Sequence, residues 1–214
     1  MNHIKQIDNM KPILADYDFP IDTISMAGTY DDDCETKLVK CHDRMMIVRT
    51  DTMEYLGNHS TAYRPVEHKA IVDPIYEMMQ KVSTQFVPQI TIMQNGAMMK
   101  ATFTCKDITI QDPQLNSYIA FRMTVRNSYN GVWSIMIQAD GLRMFCMNKC
   151  TTPDTVANFR LKHNGHFRYN FEHLKQSVDL FRSNETRYRE WYNTKVSTQD
   201  ADHMFSKLTY TTKP

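Results

Sequence analysis

Basic and hydroxyl side chains alternate with apolar residues along several β-prone segments in the middle of the chain. Lys100 and Lys106 flank a run with two threonines, and Arg122 and Arg126 flank Thr124. Because successive side chains of a strand point to opposite faces, these cations fall on one face of a sheet. Such a face is suited to contacting phosphates without reading bases. The candidate nucleic-acid-binding residues are Lys100, Lys106, Arg122, Arg126 and Arg143.

A solvated antiparallel face would show the same alternation, so the pattern alone does not decide between the two interpretations. Tyr118 and Tyr129 stand near the predicted hairpin ends, where they could stack on bases or serve as packing residues.

Metal binding and catalysis find less support in the sequence. Of the Cys and His residues, only the pairs at 146/150 and 163/166 approach the spacing of zinc ligands. We therefore expect the cysteines to be free thiols and the histidines to be ordinary hydrogen-bonded side chains, and we expect no metal or cofactor. Glycine-rich phosphate loops and GxSxG are absent. An enzyme would need a pocket that gathers residues such as His163, Asp51, His59 or Arg49. The sequence does not decide whether the protein is an enzyme, but it favours a binding function over a catalytic one. The other metal candidates considered are Cys34, Cys41, His42, Cys146, Cys150, His166 and His173.

Four β-prone runs, 86–93, 97–110, 118–126 and 132–139, are separated by turn residues and predict an antiparallel meander. Asn95-Gly96 is a favoured pair for a two-residue hairpin. A further short strand is expected at 142–147, followed by a helical or irregular turn at Pro153. The predicted core face consists of Ala101, Phe103, Cys105, Ile119, Phe121, Met123, Val125, Trp133, Ile135, Ile137 and Ala139.

Helical spacing of apolar residues predicts a helix over 66–82, with Pro74 as a potential kink, and a long helix over 168–195. A short helix is expected near 199–208. We therefore predict an α+β fold: a mainly antiparallel sheet of about five strands, with the long C-terminal helix and the shorter helix packed on one face.

The chain has 214 residues, of which 42% are hydrophobic, and no apolar stretch long enough to span a bilayer. Without a signal-like N-terminus, a cytoplasmic protein without membrane contact is expected. Residues 1–43 contain two prolines and an acidic run, which predicts an irregular arm before a single domain at 44–214.

The charge is unevenly distributed. Residues 1–60 carry 6 basic and 11 acidic side chains, a net charge of −5, whereas residues 143–195 carry 10 and 5, a net charge of +5. Opposite charges at the two ends favour head-to-tail self-association, so a homo-oligomer is expected. The apolar residues of the arm would supply most of the binding energy: Ile13, Leu14, Phe19, Ile21 and Ile24.

The order and spacing of four motifs resemble a phage/plasmid-like family known only as a domain of unknown function. These are the segment from VRTDT to YLGNHSTAYRPVEHKA at 48–70, NSYNG at 127–131, GLRMFCMN at 141–148 and RLKHN at 160–164, followed by a long charged helix. The resemblance covers 45–207 and implies a gene of phages, plasmids or mobile elements. The order of helix, meander and long helix is also similar to phage single-strand annealing proteins of the RecT, Redβ and Erf kind.

Together these resemblances and the cationic face imply a phage-encoded protein that binds single-stranded DNA without sequence specificity and promotes annealing. The alternative is a virion component, or an inhibitor of a host defence protein, that does not bind nucleic acid.

Overall fold

A computed structural model describes residues 12–32, 35–112, 117–144 and 151–210 of the chain. In this part the chain forms a six-stranded sheet of order β1-β5-β6-β7-β8-β9 and a three-stranded sheet of order β2-β3-β4. The strands are β1 (Ile13–Leu14), β2 (Ile21–Asp32), β3 (Glu35–Arg49), β4 (Glu54–Ser60), β5 (Phe86–Met93), β6 (Met98–Asp112), β7 (Ser117–Ser128), β8 (Ile135–Met144) and β9 (Thr151–Leu161). The helices are α1 (His68–Val82), α2 (Phe171–Asn193) and α3 (Thr198–Tyr210).

The α+β class and the antiparallel meander are confirmed. Strands β5 to β9 pair antiparallel in chain order, while the short β1 joins the edge of β5 in parallel. Both α1 and α2 pack on one face of this sheet, where Phe121, Ile137 and Phe181 share the larger core. Helix α1 continues through Pro74, which omits one helical hydrogen bond. None of the described helices is long and apolar enough to cross a membrane.

Three local expectations are corrected. The larger sheet has six strands rather than about five, because β1 and β9 extend it. Pro153 opens no turn: it lies in the edge strand β9, paired with Leu142, and a proline is tolerated at an edge because its missing N–H points to solvent. The loop after β5 spans four residues, with Met93 paired to Met98, and positive φ angles extend over Gln94, Asn95 and Gly96.

Most of the described part of the predicted arm, residues 21–32 and 35–43, forms regular strands rather than an irregular segment. Strands β2 and β3 form a long hairpin in which Ile21 pairs with Arg49 and Asp32 pairs with Glu35. Regular structure therefore begins well before residue 44, while the division into an arm and a domain stays a prediction. Strand β4 joins β3 only between Arg44 and Arg49, so the far half of the hairpin is a two-stranded ribbon.

A smaller core joins the root of this hairpin to the larger sheet. Phe19, Ile47 and Leu56 pack there against Met98 and Tyr129. Trp133, which the alternation assigned to the larger core, lies half-buried against this smaller core instead. The correction follows from its position: Trp133 precedes β8, so the alternation of the strand does not reach it.

Strand β4 approaches the loop after β7 so closely that only glycine fits at position 57. A Cβ there would overlap the carbonyl oxygen of Tyr129 and lie 2.7 Å from its carbonyl carbon. We predict that Gly57→Ala lowers the free energy of unfolding by about 3 kcal/mol, because backbone atoms cannot move aside as a side chain can.

Gly28→Ala is the matched control, since a Cβ at Gly28 meets nothing within 4 Å. It should leave stability unchanged or raise it by up to about 1 kcal/mol, because alanine suits a strand better than glycine. Thermal or urea unfolding measures both variants. Equal stability of the two would contradict the close approach.

Candidate nucleic-acid interface

The sheet face opposite α1 and α2 carries the predicted cations. Across this face the strand register aligns Lys100 on β6 with Arg126 on β7, and Arg126 with Met136 on β8. Met136 in turn pairs with Arg160 on β9. With neighbouring strands roughly 5 Å apart, three cations therefore lie within a row of roughly 15 Å. The next two cross-strand rows of this face are polar. The first row consists of Thr102, Thr124, Gln138 and Asn158, and the second consists of Thr104, Arg122, Asp140 and Thr155.

One buried carboxylate lies among three of these cations. Nε of Arg122 donates to Oδ1 of Asp140 at 2.7 Å, and the Asp140 side chain is 1% exposed. Burial raises the pKa of the Asp140 carboxyl, against the lowering effects of Arg122, Lys100 and Arg126. A group of three cations and one carboxylate has a net charge of about +2 when all are ionised.

The positive charge of this group is incompletely compensated. Partial loss of water lowers the pKa of Lys100, and repulsion from Arg126 and Arg122 lowers it further, whereas Asp140 opposes the effect. Nε of Arg126 is buried and has no hydrogen-bond partner among the described residues, and its guanidinium lies 5.6 Å from the ring of Trp133. An anion beside these cations would relieve their mutual repulsion.

The face is concave near β1. Lys100, Thr102 and Arg122 line a depression of about 200 Å³ there, together with Ile13, Gln89 and Thr91. Cationic, hydroxyl and amide side chains therefore line this depression, and such a lining suits an anionic ligand.

The structure brings together three of the five predicted residues. Lys106 lies half-buried at a shift in register, where its amide donates to the carbonyl of Gln85 at 2.7 Å. Arg143 pairs through its backbone with Thr152, and its side chain lies outside the described residues. Sequence reasoning missed Arg160, because the strand that carries it was not predicted.

The two tyrosines have different roles. Tyr129 is 1% exposed within the smaller core, so it cannot stack on a base. Tyr118 is 45% exposed and lies at the start of β7, on the same side of the strand as Arg122 and Arg126 by alternation. Tyr118 therefore extends the cationic face with an aromatic side chain.

A second group of polar residues lies where the two sheets meet and is centred on His68. Nε2 of His68 donates to the carbonyl of Gly96 at 2.9 Å, so Nδ1 accepts from Nδ2 of Asn127 at 3.0 Å. The same Asn127 amide donates to the carbonyl of Val66, and the backbone amide of His68 donates to the hydroxyl of Tyr129. Burial lowers the pKa of His68 to about 4, and His163 lowers it further, whereas the hydrogen bond to the carbonyl of Gly96 opposes the effect.

A ring stack continues from this group. His59 stacks on Tyr63 at a centroid distance of 3.8 Å, and His163 lies 5.0 Å away from the same tyrosine. Burial lowers the pKa of His163 to about 4, opposed in part by the backbone of Trp133. Of the residues named for a catalytic pocket, the structure therefore gathers His59 and His163. The other two, Arg49 and Asp51, form an ion pair with each other at 2.7 Å.

Among the described residues, no group of three or more His, Cys, Asp or Glu side chains is placed to hold a metal ion. Cys41 and Cys105 are thiols without a disulfide. Three metal candidates, Cys34, Cys146 and Cys150, lie outside the described residues.

Residues 55–214 match the model of a domain of unknown function, DUF932. The chain belongs to this family, which confirms the family resemblance inferred from the motifs. No curated protein and no solved structure matches the chain. The segments NHSTAYRPVEHKA, NSYNG and RLKHN lie within the matched range, and they supply His59, Tyr63, His68, Asn127 and His163 of the ring stack and the His68 group.

We predict that the protein loses stability as the pH falls from 7 to 5. The unfolded chain takes up protons on His68 and His163 near pH 6.5, whereas the folded pKa values of both are about 4. Each fully buried histidine with such a shift contributes about 2 kcal/mol to this loss, and the half-buried His163 contributes less. Urea unfolding at several pH values measures the slope.

The variant His163→Phe keeps an aromatic ring beside Tyr63 and removes one titrating group, so it should flatten the slope. His166→Phe is the control, because His166 is exposed and should leave the slope unchanged. If the wild-type protein were equally stable at pH 7 and pH 5, the folded state would not require the neutral forms of His68 and His163.

Proposed function

We propose that this member of the family binds single-stranded nucleic acid through the cationic face, by contacting phosphates rather than reading bases. The observation that carries the proposal is the group of Lys100, Arg122 and Arg126 around a single carboxylate. These three cations repel one another, and Lys100 has lost part of its hydration. Phosphate oxygens would stabilise the charged forms of the three side chains. Counterion release from the nucleic acid would add the usual salt-dependent driving force.

The arrangement of the face supports a single strand over a duplex. The cations lie across adjacent strands of one sheet face, so an extended single strand could follow the cross-strand rows with its phosphates on the cations. The exposed Tyr118 offers a ring for stacking, which every base can use and which contributes about 1 to 3 kcal/mol per base. Binding would therefore tolerate any sequence.

The proposal extends to biological role. Annealing of complementary strands in replication or recombination needs a protein that holds the backbone and leaves base edges accessible, which a phosphate-binding face provides. Encoding by a phage or mobile element and action in the host cytoplasm belong to the same proposal.

Titration of a fluorescent single-stranded oligonucleotide at several salt concentrations tests the phosphate contacts. The triple variant Lys100→Ala, Arg122→Ala, Arg126→Ala should bind weakly, and the slope of log affinity against log salt should fall by about 1.4, or about 0.7 for each lost phosphate contact of Lys100 and Arg126, since Arg122 is paired with Asp140 in the wild type. The control Arg168→Ala, Lys175→Ala removes two exposed cations on the α2 side and should bind like wild type. No binding by wild type at low salt, or an unchanged triple variant, contradicts the proposal.

Removal of the buried carboxylate should have the opposite effect. Asp140→Asn keeps the shape of the side chain, abolishes its charge and leaves Arg122 available for phosphate. We predict tighter binding and a salt slope that is steeper by about 0.7. Because the ion pair is buried, thermal unfolding should accompany the titration. Weaker binding by a folded Asp140→Asn protein would instead indicate that the carboxylate positions Arg122.

A further inference from the structure

The depression near β1 has a cation at each of its two ends. We call it the edge depression, and its volume is about 200 Å³. Lys100 lies in one cross-strand row of the sheet face, and Arg122 lies two rows further along the strands. Because both line the same depression, their side chains reach it from opposite ends. The rest of the lining is three polar residues and one apolar residue: Gln89, Thr91, Thr102 and Ile13.

The two cations have donors that a ligand could use. Nε of Arg122 donates to Asp140, but the terminal nitrogens of the same guanidinium have no hydrogen-bond partner among the described residues. The ammonium group of Lys100 has no hydrogen-bond partner among them either. Burial, and repulsion from Arg126 and Arg122, lower the pKa of Lys100. An anion in the edge depression would therefore accept charge-assisted hydrogen bonds from both ends.

The edge depression lies where the cationic row of the sheet face ends. Arg160, Arg126 and Lys100 follow one another in this row from β9 towards β5. Strand β1 is the last strand of the sheet on this side, and its residue Ile13, which is 57% exposed, borders the depression. A nucleic-acid strand that follows the row would therefore make its last phosphate contact here.

Charge distinguishes the phosphate at the end of a strand from the phosphates within it. The three cations around Asp140 give this part of the face a net charge of about +2 when all four groups are ionised. A terminal phosphomonoester carries about −2 at neutral pH, whereas an internal phosphodiester carries about −1. A monoester is also attached through a single oxygen, so it can enter a small depression that the chain does not leave on the other side.

We propose that the edge depression binds the terminal phosphomonoester of a nucleic-acid strand, so that the protein prefers phosphorylated ends. The inference rests on the proposed function, since the rest of the strand would lie on the cationic face. Lys100 and Arg122 would donate to the phosphoryl oxygens, with Gln89 and Thr91 as additional donors. The apolar Ile13 would border the phosphate on the edge side.

Competition between unlabelled oligonucleotides tests this preference. Strands of one sequence that carry a 5′-phosphate, a 3′-phosphate or hydroxyl groups at both ends displace an internally labelled strand with both phosphates. At least one singly phosphorylated strand should bind about fivefold tighter than the hydroxyl strand, which is the effect of one additional ion pair. Adenosine 5′-monophosphate carries the same group without a strand and should compete only weakly.

Two variants that add the same charge locate the site. Thr91→Glu places a carboxylate in the register position opposite Lys100, so it should bind phosphorylated and hydroxyl strands equally. Asn158→Glu is the matched control, because Asn158 is an exposed residue of the same face on β9, away from the depression. This control should weaken the binding of all strands alike and keep their ratio. Circular dichroism establishes that both variants are folded.

The outcomes separate this inference from the proposed function. Equal binding of all three strands by wild type overturns the end preference and leaves single-strand binding intact. Binding of phosphorylated strands alone supports the edge depression and contradicts the broader role of the face, whereas no binding of any strand overturns both. The inference is also overturned by a preference that persists in Thr91→Glu or disappears in Asn158→Glu, or by a monophosphate that competes as strongly as the phosphorylated strands.

Discussion

The neutral imidazole of His68 is the interaction on which the arrangement of the elements depends. It lies at the first residue of α1 and bonds to Gly96 before β6 and to Asn127 near the end of β7. The ring also contacts Phe19 edge-on at 5.6 Å, in the smaller core. One side chain thus fixes the entry of the helix and the start of the meander relative to the root of the hairpin. A protonated ring could not accept from Asn127, so this junction requires a neutral histidine.

The packing of the two helices determines what the two faces of the larger sheet can do. Because α1 and α2 both cover one face, that face is filled with apolar side chains and has no capacity for polar ligands. The polar residues collect on the other face, where the register places Arg122 opposite Asp140 and Lys100 opposite Arg126. The two faces differ because successive side chains of a strand point to opposite sides of the sheet. An alternating sequence therefore places its apolar residues in the core and its polar residues on the other face.

The same period explains how much could be predicted from the sequence. Alternation assigned Phe103, Phe121 and Ile137 to the core and Lys100 and Arg126 to the opposite face, since side-chain direction in a regular strand is a local property. It could not show that Asp140 neutralises Arg122, because that pairing depends on the register between β7 and β8. The His68 group was equally hidden, because its members are separated by up to 61 positions in sequence. The part of the hairpin before residue 45 was missed because two prolines and an acidic run outweighed its scattered apolar residues.

The family match divides the molecule in an informative way. It begins at residue 55, within β4, so it includes the cationic face, the His68 group and α2, but not the β2–β3 hairpin. A function of the cationic face would therefore rest on elements within the family domain. The smaller core spans this boundary, because Phe19 and Ile47 precede the matched range whereas Leu56, Met98 and Tyr129 lie within it.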